Sequence, residues 1–207
     1  MKILFISLGC DKNLADSEEM LGLLTGNGHE IVDSEEEADA IVINTCCFIH
    51  DAKEESVNTI LEMAEYKKTG TCKILIVTGC MAQRYKEEIT KEIPEVDAVL
   101  GTTSYGDIVK ALNEAEAGHV FREFKDINAL PEDSGRRVIT TGGHFGYLKI
   151  AEGCDKHCTY CIIPSLRGKF RSVPEERLLK QAEYMASQGV RELILVAQET
   201  TVYGTDL

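Results

Sequence analysis

Short contiguous apolar runs alternate along this chain with longer stretches in which apolar residues return every three or four positions. Residues 3–8, 40–44, 73–78 and 96–100 are runs of the first kind, and they read as strands buried on both faces of a sheet. A shorter strand is expected at 29–32, and an acidic turn at 35–39 precedes the run at 40–44. Between them, Leu14, Leu21 and Leu24 share one helical face that Gly26 and Gly28 close, and Val57, Ile60, Leu61 and Ala64 share another. A further helix is expected from about Met81 until Pro94 stops it. A last one, capped by Ser104, presents Ile108, Val109 and Leu112. Strands alternating with helices in this way predict an α/β fold around an open parallel sheet over residues 1–118.

From residue 119 to 146 the periodicity weakens. The stretch carries Pro131, Ser134-Gly135 and Gly142-Gly143 and reads as an irregular connection, with Arg136-Arg137 a solvated pair. Pattern returns at 147–151, a strand. Ser172-Val173-Pro174-Glu175 then has capping-box form before a helix with Leu178, Ala182 and Met185 on one face, Gly189 ends it, and 192–197 is the next strand. Residues 147–207 thus form one βαβ unit, the beginning of a (β/α) barrel that a single unit cannot close. The chain is expected to be the amino-terminal piece of a longer enzyme.

The candidate chemistry is carried by cysteine. Cys154, Cys158 and Cys161 are spaced C-x3-C-x2-C on the loop after the strand at 147–151. Three thiolates on one loop can hold an iron–sulfur cluster by three corners, where an electron-transfer cluster usually has four cysteine ligands. The open iron can then take a substrate or cofactor. Zinc is the competing reading, but it prefers four closed ligands, and His157 lies inside the loop where it would be awkward as the fourth.

Three more cysteines take equivalent places in the first domain. Cys10, Cys46 and Cys80 each follow the carboxyl end of a different strand, the edge where open α/β sheets bind ligands. They form a second candidate cluster site with an open position, against the bland reading of cysteine as a small buried hydrophobe. Gly9 and Gly79 precede two of them and would let backbone approach a bulky inorganic group. Asn13, Asn44 and Thr45 are placed to donate to cluster sulfides or merely to cap strand ends. Cys72 precedes its strand and reads as structural, and Cys47 diverges from its neighbour Cys46.

Eight cysteines without a signal-peptide core argue against a secreted disulfide scaffold and for a cytoplasmic protein with reduced thiols. No apolar run approaches the ~18 residues of a membrane-spanning helix. The 207 residues suffice for one large or two small domains, and the net charge of -13 suits a basic partner better than nucleic acid.

With Tyr160 before its last cysteine, the C-x3-C-x2-C loop resembles the signature of the radical S-adenosylmethionine enzymes. Together with Cys10, Cys46 and Cys80 it makes the whole chain similar to the methylthiotransferases. Leu8-Gly9-Cys10-Asp11-Lys12-Asn13-Leu14-Ala15-Asp16-Ser17-Glu18, Asn44-Thr45-Cys46, Phe48-Ile49, Gly101-Thr102-Thr103-Ser104-Tyr105 and Ile162-Ile163-Pro164 resemble the branch that modifies ribosomal protein S twelve. So does Gln198-Glu199-Thr200-Thr201-Val202-Tyr203-Gly204, with Glu199 where aspartate is more usual. The tRNA-modifying relatives more typically carry Gln-Met-Asn or Lys-Val-Asn after the first cysteine.

The resemblance implies two [4Fe–4S] clusters and S-adenosylmethionine as cofactors. Cys154, Cys158 and Cys161 would hold the cluster whose open iron chelates S-adenosylmethionine and cleaves it to a 5′-deoxyadenosyl radical, with Tyr160 near the adenine. Cys10, Cys46 and Cys80 would hold the cluster that carries the sulfur to be inserted, and Cys47 is given no ligand role. The product implied is a methylthio group on the β-carbon of an aspartate of ribosomal protein S twelve, with flavodoxin or ferredoxin as electron donor and no membrane. A tRNA adenosine methylthiotransferase is the alternative within the class. A non-catalytic iron–sulfur scaffold or electron carrier is the alternative outside it. The piece as it stands is expected to bind a cluster in its first domain with little or no turnover.

Overall fold

A computed structural model describes residues 1–132 and 134–207. Its first body is a six-stranded, wholly parallel sheet in the order β2-β1-β3-β4-β5-β6. The strands are β1 (Lys2–Ser7), β2 (Glu30–Val32), β3 (Ala40–Thr45), β4 (Ile74–Gly79), β5 (Ala98–Leu100) and β6 (Phe121–Glu123). β3 and β4 are buried along their whole length, the mark of central strands covered on both faces.

Alternate residues serve opposite faces. Ile41, Ile43, Leu75, Val77 and Val99 pack with Ile60, Met63 and Ala64 of α2 (His50–Thr69), Met81 of α3 (Cys80–Tyr85) and Ile89 of α4 (Glu87–Glu92). Val42, Ile74, Ile76, Ala98 and Leu100 pack on the other side, with Met20 and Leu24 of α1 (Asp11–Gly26) and Ile108, Ala111 and Leu112 of α5 (Ile108–Glu116). Between β1 and β3 the strand order reverses, which opens a crevice at the carboxyl edge.

The second body is built on β7 (Phe145–Lys149), α7 (Glu175–Ser187) and β10 (Glu192–Val196), with β7 and β10 paired in parallel as one βαβ unit. Leu148, Ile150, Val173, Leu178, Met185 and Val190 form its core. Two short segments, β8 (Ala151–Glu152) and β9 (Arg171–Ser172), pair antiparallel and flank a one-turn helix, α6 (Ile163–Arg167). The α/β class with a parallel sheet and the start of a barrel-type unit is thus what the structure has. No helix among the described residues is long and apolar enough to cross a membrane.

Several local expectations give way. β6 lies inside the stretch read as irregular connection; three residues paired to one neighbour are too few for periodicity to register. The helix expected from Met81 to Pro94 is two helices, broken at Lys86, whose φ of 43° leaves the helical region. Leu61 is 48% exposed, so the apolar face of α2 is narrower than its spacing implied. The strand read as 147–151 is split at Ile150, beyond which Ala151 joins a different sheet. Ser104 and Ser172 cap nothing; their hydroxyls accept from the backbone N–H of Lys125 and Gly204, each at 2.9 Å.

The largest departure is at residues 136–137. Arg136 is exposed as expected, but Arg137 is only 6% exposed and its Nη2 lies 2.6 Å from Glu18 Oε2. The reason is α1: besides packing on the sheet it packs on β7, so its polar side, with Asn13, Asp16, Ser17, Glu18 and Glu19, is buried between the two bodies. Carboxylates removed from water there need cations, and Arg137 is one of them.

Candidate iron–sulfur cleft

The carboxyl edge of the first sheet places its cysteines side by side. β1, β3 and β4 are adjacent strands, with Cys10 in the turn after β1, Cys46 directly after β3 and Cys80 directly after β4. Cys10 and Cys46 therefore flank the crevice where the strand order reverses. Their loops are tightly locked. Asn13 Nδ2 donates to the Leu8 carbonyl at 2.8 Å and the Thr45 carbonyl at 3.0 Å. Asn44 Nδ2 donates to the Asn13 carbonyl and Ser17 Oγ, both at 2.9 Å, and Thr45 Oγ1 donates to the Thr78 carbonyl at 2.5 Å. The backbone N–H of Cys46 donates to Ser56 Oγ at 3.0 Å, and that hydroxyl returns a bond to the Cys46 carbonyl at 2.8 Å.

Asn13, Asn44 and Thr45 therefore do not offer their side chains to a cluster. All three are buried, none lines the cleft, and their polar groups splice the cysteine loops together. The glycine reading shifts in the same way. At Gly9, with φ +95°, a Cβ would come within 2.7 Å of Cys46 Cβ; at Gly79, with φ +92°, it would come within 2.5 Å of the Thr45 carbonyl oxygen. The close approach these glycines permit is between neighbouring loops.

From the second body, the loop after β8 turns back over that edge. Cys154 N–H donates to the Gly168 carbonyl at 3.1 Å, which ties the start of the loop to the residue after α6, and Cys161 N–H donates to the Cys158 carbonyl at 3.0 Å in a tight turn. Lys156 of this loop pairs with Glu199, which also accepts from Thr201, and these bonds hold the Glu199 carboxyl down at about 2.

The two cysteine sets meet in one open cleft of about 1120 Å³, lined by all six of Cys10, Cys46, Cys80, Cys154, Cys158 and Cys161. Cys10 and Cys158 are exposed, Cys154 and Cys161 half-buried, and Cys46 and Cys80 buried. No three His, Cys, Asp or Glu side chains among the described residues converge closely enough to hold one metal ion. Thiols lining one cleft are the donor type that holds an iron–sulfur cluster, whose cysteines bind separate corners.

The cleft wall is apolar on one side. Tyr160 is 91% exposed, and Phe48 and Ile49 are exposed in the same lining. Two residues that sequence reasoning missed complete the lining. Arg167, at the end of α6, lines the cleft with Cys80; burial pushes the Cys80 thiol up, and the guanidinium charge pulls against that. Gln198 lies just past the carboxyl end of β10, and its amide nitrogen and oxygen are buried with no partner among the described residues. The strand-edge logic that picked out the cysteines would have found Gln198. Nothing local marks Arg167.

Cys72 and Cys47 stand apart. Cys72 Sγ donates to the Ile74 carbonyl at 3.3 Å inside the core, and Cys47 belongs to the same core cluster. Burial, with Cys80 nearby, pushes the Cys47 thiol up to about 12. At pH 8 only about one such thiol in ten thousand is ionised. In brief anaerobic alkylation at that pH, Cys10 and Cys158 are expected to react first and Cys47 and Cys72 last. Peptide mass spectrometry reads the order, and labelling of Cys47 as fast as Cys158 would refute the assignment of Cys47 to the core.

Against this geometry the comparisons are consistent. Residues 2–101 match the model of the uncharacterized protein family UPF0004, and residues 148–206 match that of the Radical SAM superfamily. A ribosomal protein uS12 methylthiotransferase RimO of Lachnoclostridium phytofermentans is 66% identical over 207 residues, which is 100% of this chain and 47% of the relative. The protein of the same name from Clostridioides difficile is 51% identical over 207 residues, again 100% of this chain and 47% of the relative. One from Trichlorobacter lovleyi is 49% identical over 207 residues, covering 100% of this chain and 46% of the relative. The chain thus spans about half the length of the curated relatives it matches. With both family models matched in order and this identity along its full length, the chain belongs to the methylthiotransferase family of radical S-adenosylmethionine proteins.

Proposed function

We propose that this chain carries the first two functional parts of an enzyme that adds a methylthio group to the β-carbon of an aspartate of ribosomal protein S twelve. The observation that carries the reading is the convergence of six cysteines, three from each body, on one cleft. The names of the relatives and the pair of family matches support the substrate.

Two [4Fe–4S] clusters fit the donor set, one on Cys154, Cys158 and Cys161 and one on Cys10, Cys46 and Cys80. When bound with S-adenosylmethionine, such groups supply the one-electron chemistry that opens an unactivated C–H bond. The protein's share is placement. Lys156 and Glu199 pin the loop that holds one cysteine set. Gln198 offers a donor and an acceptor to a bound cofactor, and Phe48, Ile49 and Tyr160 give its adenine an apolar surface and exclude water. The net charge of -13 suits a basic ribosomal protein as substrate. Eight free cysteines suit the reducing cytoplasm as its setting, and the electron donor is a flavodoxin or ferredoxin.

Anaerobic reconstitution of the 207-residue chain tests the cluster assignment. Iron is expected at about eight per chain, the content of two four-iron clusters. Replacing Cys10, Cys46 and Cys80 together by alanine should halve it, and so should replacing Cys154, Cys158 and Cys161. Iron unchanged after the first triple substitution would refute the site on Cys10, Cys46 and Cys80. For the substrate, the full-length enzyme is offered ribosomal protein S twelve and tRNA side by side; modification of tRNA alone sinks the proposal.

A further inference from the structure

Between the cysteine sets lies a group of buried charges for which the proposed chemistry has no direct use. Asp16, Lys149, Glu152 and Arg167 are all under 8% exposed. Asp16 Oδ1 pairs with Lys149, and its Oδ2 accepts from Arg167 Nη1 at 2.7 Å. Glu152 Oε1 lies 2.5 Å from Lys149 Nζ and 3.5 Å from Arg167 Nη1. The second arm of the guanidinium donates to Asn13 Oδ1 at 2.6 Å. Two cations and two carboxylates thus neutralise one another across the junction of the bodies.

Their positions in the chain give the arrangement its meaning. Asn13 and Asp16 lie in the first turns of α1, directly after Cys10. Glu152 ends β8, just before Cys154, and Arg167 ends α6, which begins just after Cys161. Each charge is joined to a cysteine of one set or the other by a short, hydrogen-bonded span. A buried ion pair stabilises only with good geometry, since separating the partners leaves an uncompensated charge in an apolar setting. Arginine adds direction to distance, because its planar fork must meet Asp16 and Asn13 together. The two bodies therefore have one relative placement that satisfies all four charges.

We infer that Asp16, Lys149, Glu152 and Arg167 form a positioning clamp that sets the spacing and orientation of the two cysteine sets, with Arg167 its central residue. The inference deepens the proposed function and takes its purpose from it. The clamp itself is a property of the protein without iron.

Two readouts on the same chain separate these claims. In hydrogen exchange on the iron-free chain, Arg167→Met should speed exchange at amides 13–20 and 145–152 on the order of a hundredfold, with β3 and β4 unchanged. In the reconstituted chain, the same substitution should leave the iron content as it was and weaken the magnetic interaction between the two reduced clusters in electron paramagnetic resonance. Arg167→Lys keeps the charge without the fork and should fall between wild type and Arg167→Met; if Arg167→Met does not fold, Arg167→Lys carries the test. Wild-type exchange and wild-type coupling in the variant that folds would overturn the clamp. Loss of half the iron with unchanged exchange would also overturn it, and would make Arg167 a support for Cys80 alone. If the wild-type chain takes up no cluster, the proposed function fails while the exchange measurement still decides the clamp.

Discussion

Replacing Glu18 by alanine is expected to destabilise the chain by about 3–5 kcal/mol, the usual cost of stripping one partner from a buried ion pair. Glu18 has no exposure and accepts four hydrogen bonds: from Arg137 Nε at 2.8 Å, Arg137 Nη2 at 2.6 Å, Thr140 N–H at 2.7 Å and Thr140 Oγ1 at 2.8 Å. Without the carboxylate, the Arg137 side chain keeps, among the described residues, the Tyr147 carbonyl at 2.7 Å and a long contact to the Met185 sulfur. A desolvated guanidinium with so little compensation is the source of the cost. The double variant Glu18→Leu with Arg137→Met removes both charges and fills similar volume, so it should be less destabilised than Glu18→Ala alone. Urea titration of the three proteins reads the difference. A single-variant loss below about 1 kcal/mol would mean the pair behaves as a solvent-exposed one.

Gly79→Ala should be nearly as damaging, about 3–5 kcal/mol, for a different reason. Gly79 has φ +92° and ψ −158°, a region that only glycine occupies without strain of about 1–3 kcal/mol. The added methyl would also stand 2.3 Å from Asn44 Oδ1 and 2.5 Å from the Thr45 carbonyl oxygen, and overpacking adds about as much again. Neither neighbour can yield cheaply. Asn44 is held by Asn13 and Ser17, and Thr45 is paired in the sheet. For a chain of this size the melting temperature should fall by roughly 6–20 °C. Because the strain sits where β4 hands over to Cys80, iron uptake on Cys10, Cys46 and Cys80 should drop even in the fraction that folds. A melting temperature within about 2 °C of wild type would show that the backbone at residue 79 relaxes, contrary to this account.

The legible part of this protein is the part set by local rules. Runs such as Ile74 to Val77 are apolar at every position because both faces are covered, and that marks a central parallel strand without knowledge of its partners. Chain direction then places Cys10, Cys46 and Cys80 at the carboxyl edge, since every parallel strand presents the same end there. Short elements were lost because they carry too few residues for a period to show, as with β6 and the one-turn α6. The unused caps at Ser104 and Ser172 failed differently. There a tertiary partner claimed a group that local propensity had assigned elsewhere.

The sequence by itself determined the strand and helix pattern of the first body, the placement of its cysteines and the C-x3-C-x2-C loop, because burial period and ligand spacing are written in neighbouring residues. Only the tertiary structure decided that both cysteine sets share one cleft and that α1 is buried on its polar side too. Asp16, Glu18 and Glu19 read alone as the solvated face of an ordinary helix. Their meaning depends on cations far along the chain: Arg137 is 119 residues from Glu18, and Lys149 and Arg167 are 133 and 151 residues from Asp16. Charge pairing across such separations leaves no local period, since Coulomb attraction depends on distance in space and the fold alone sets that distance.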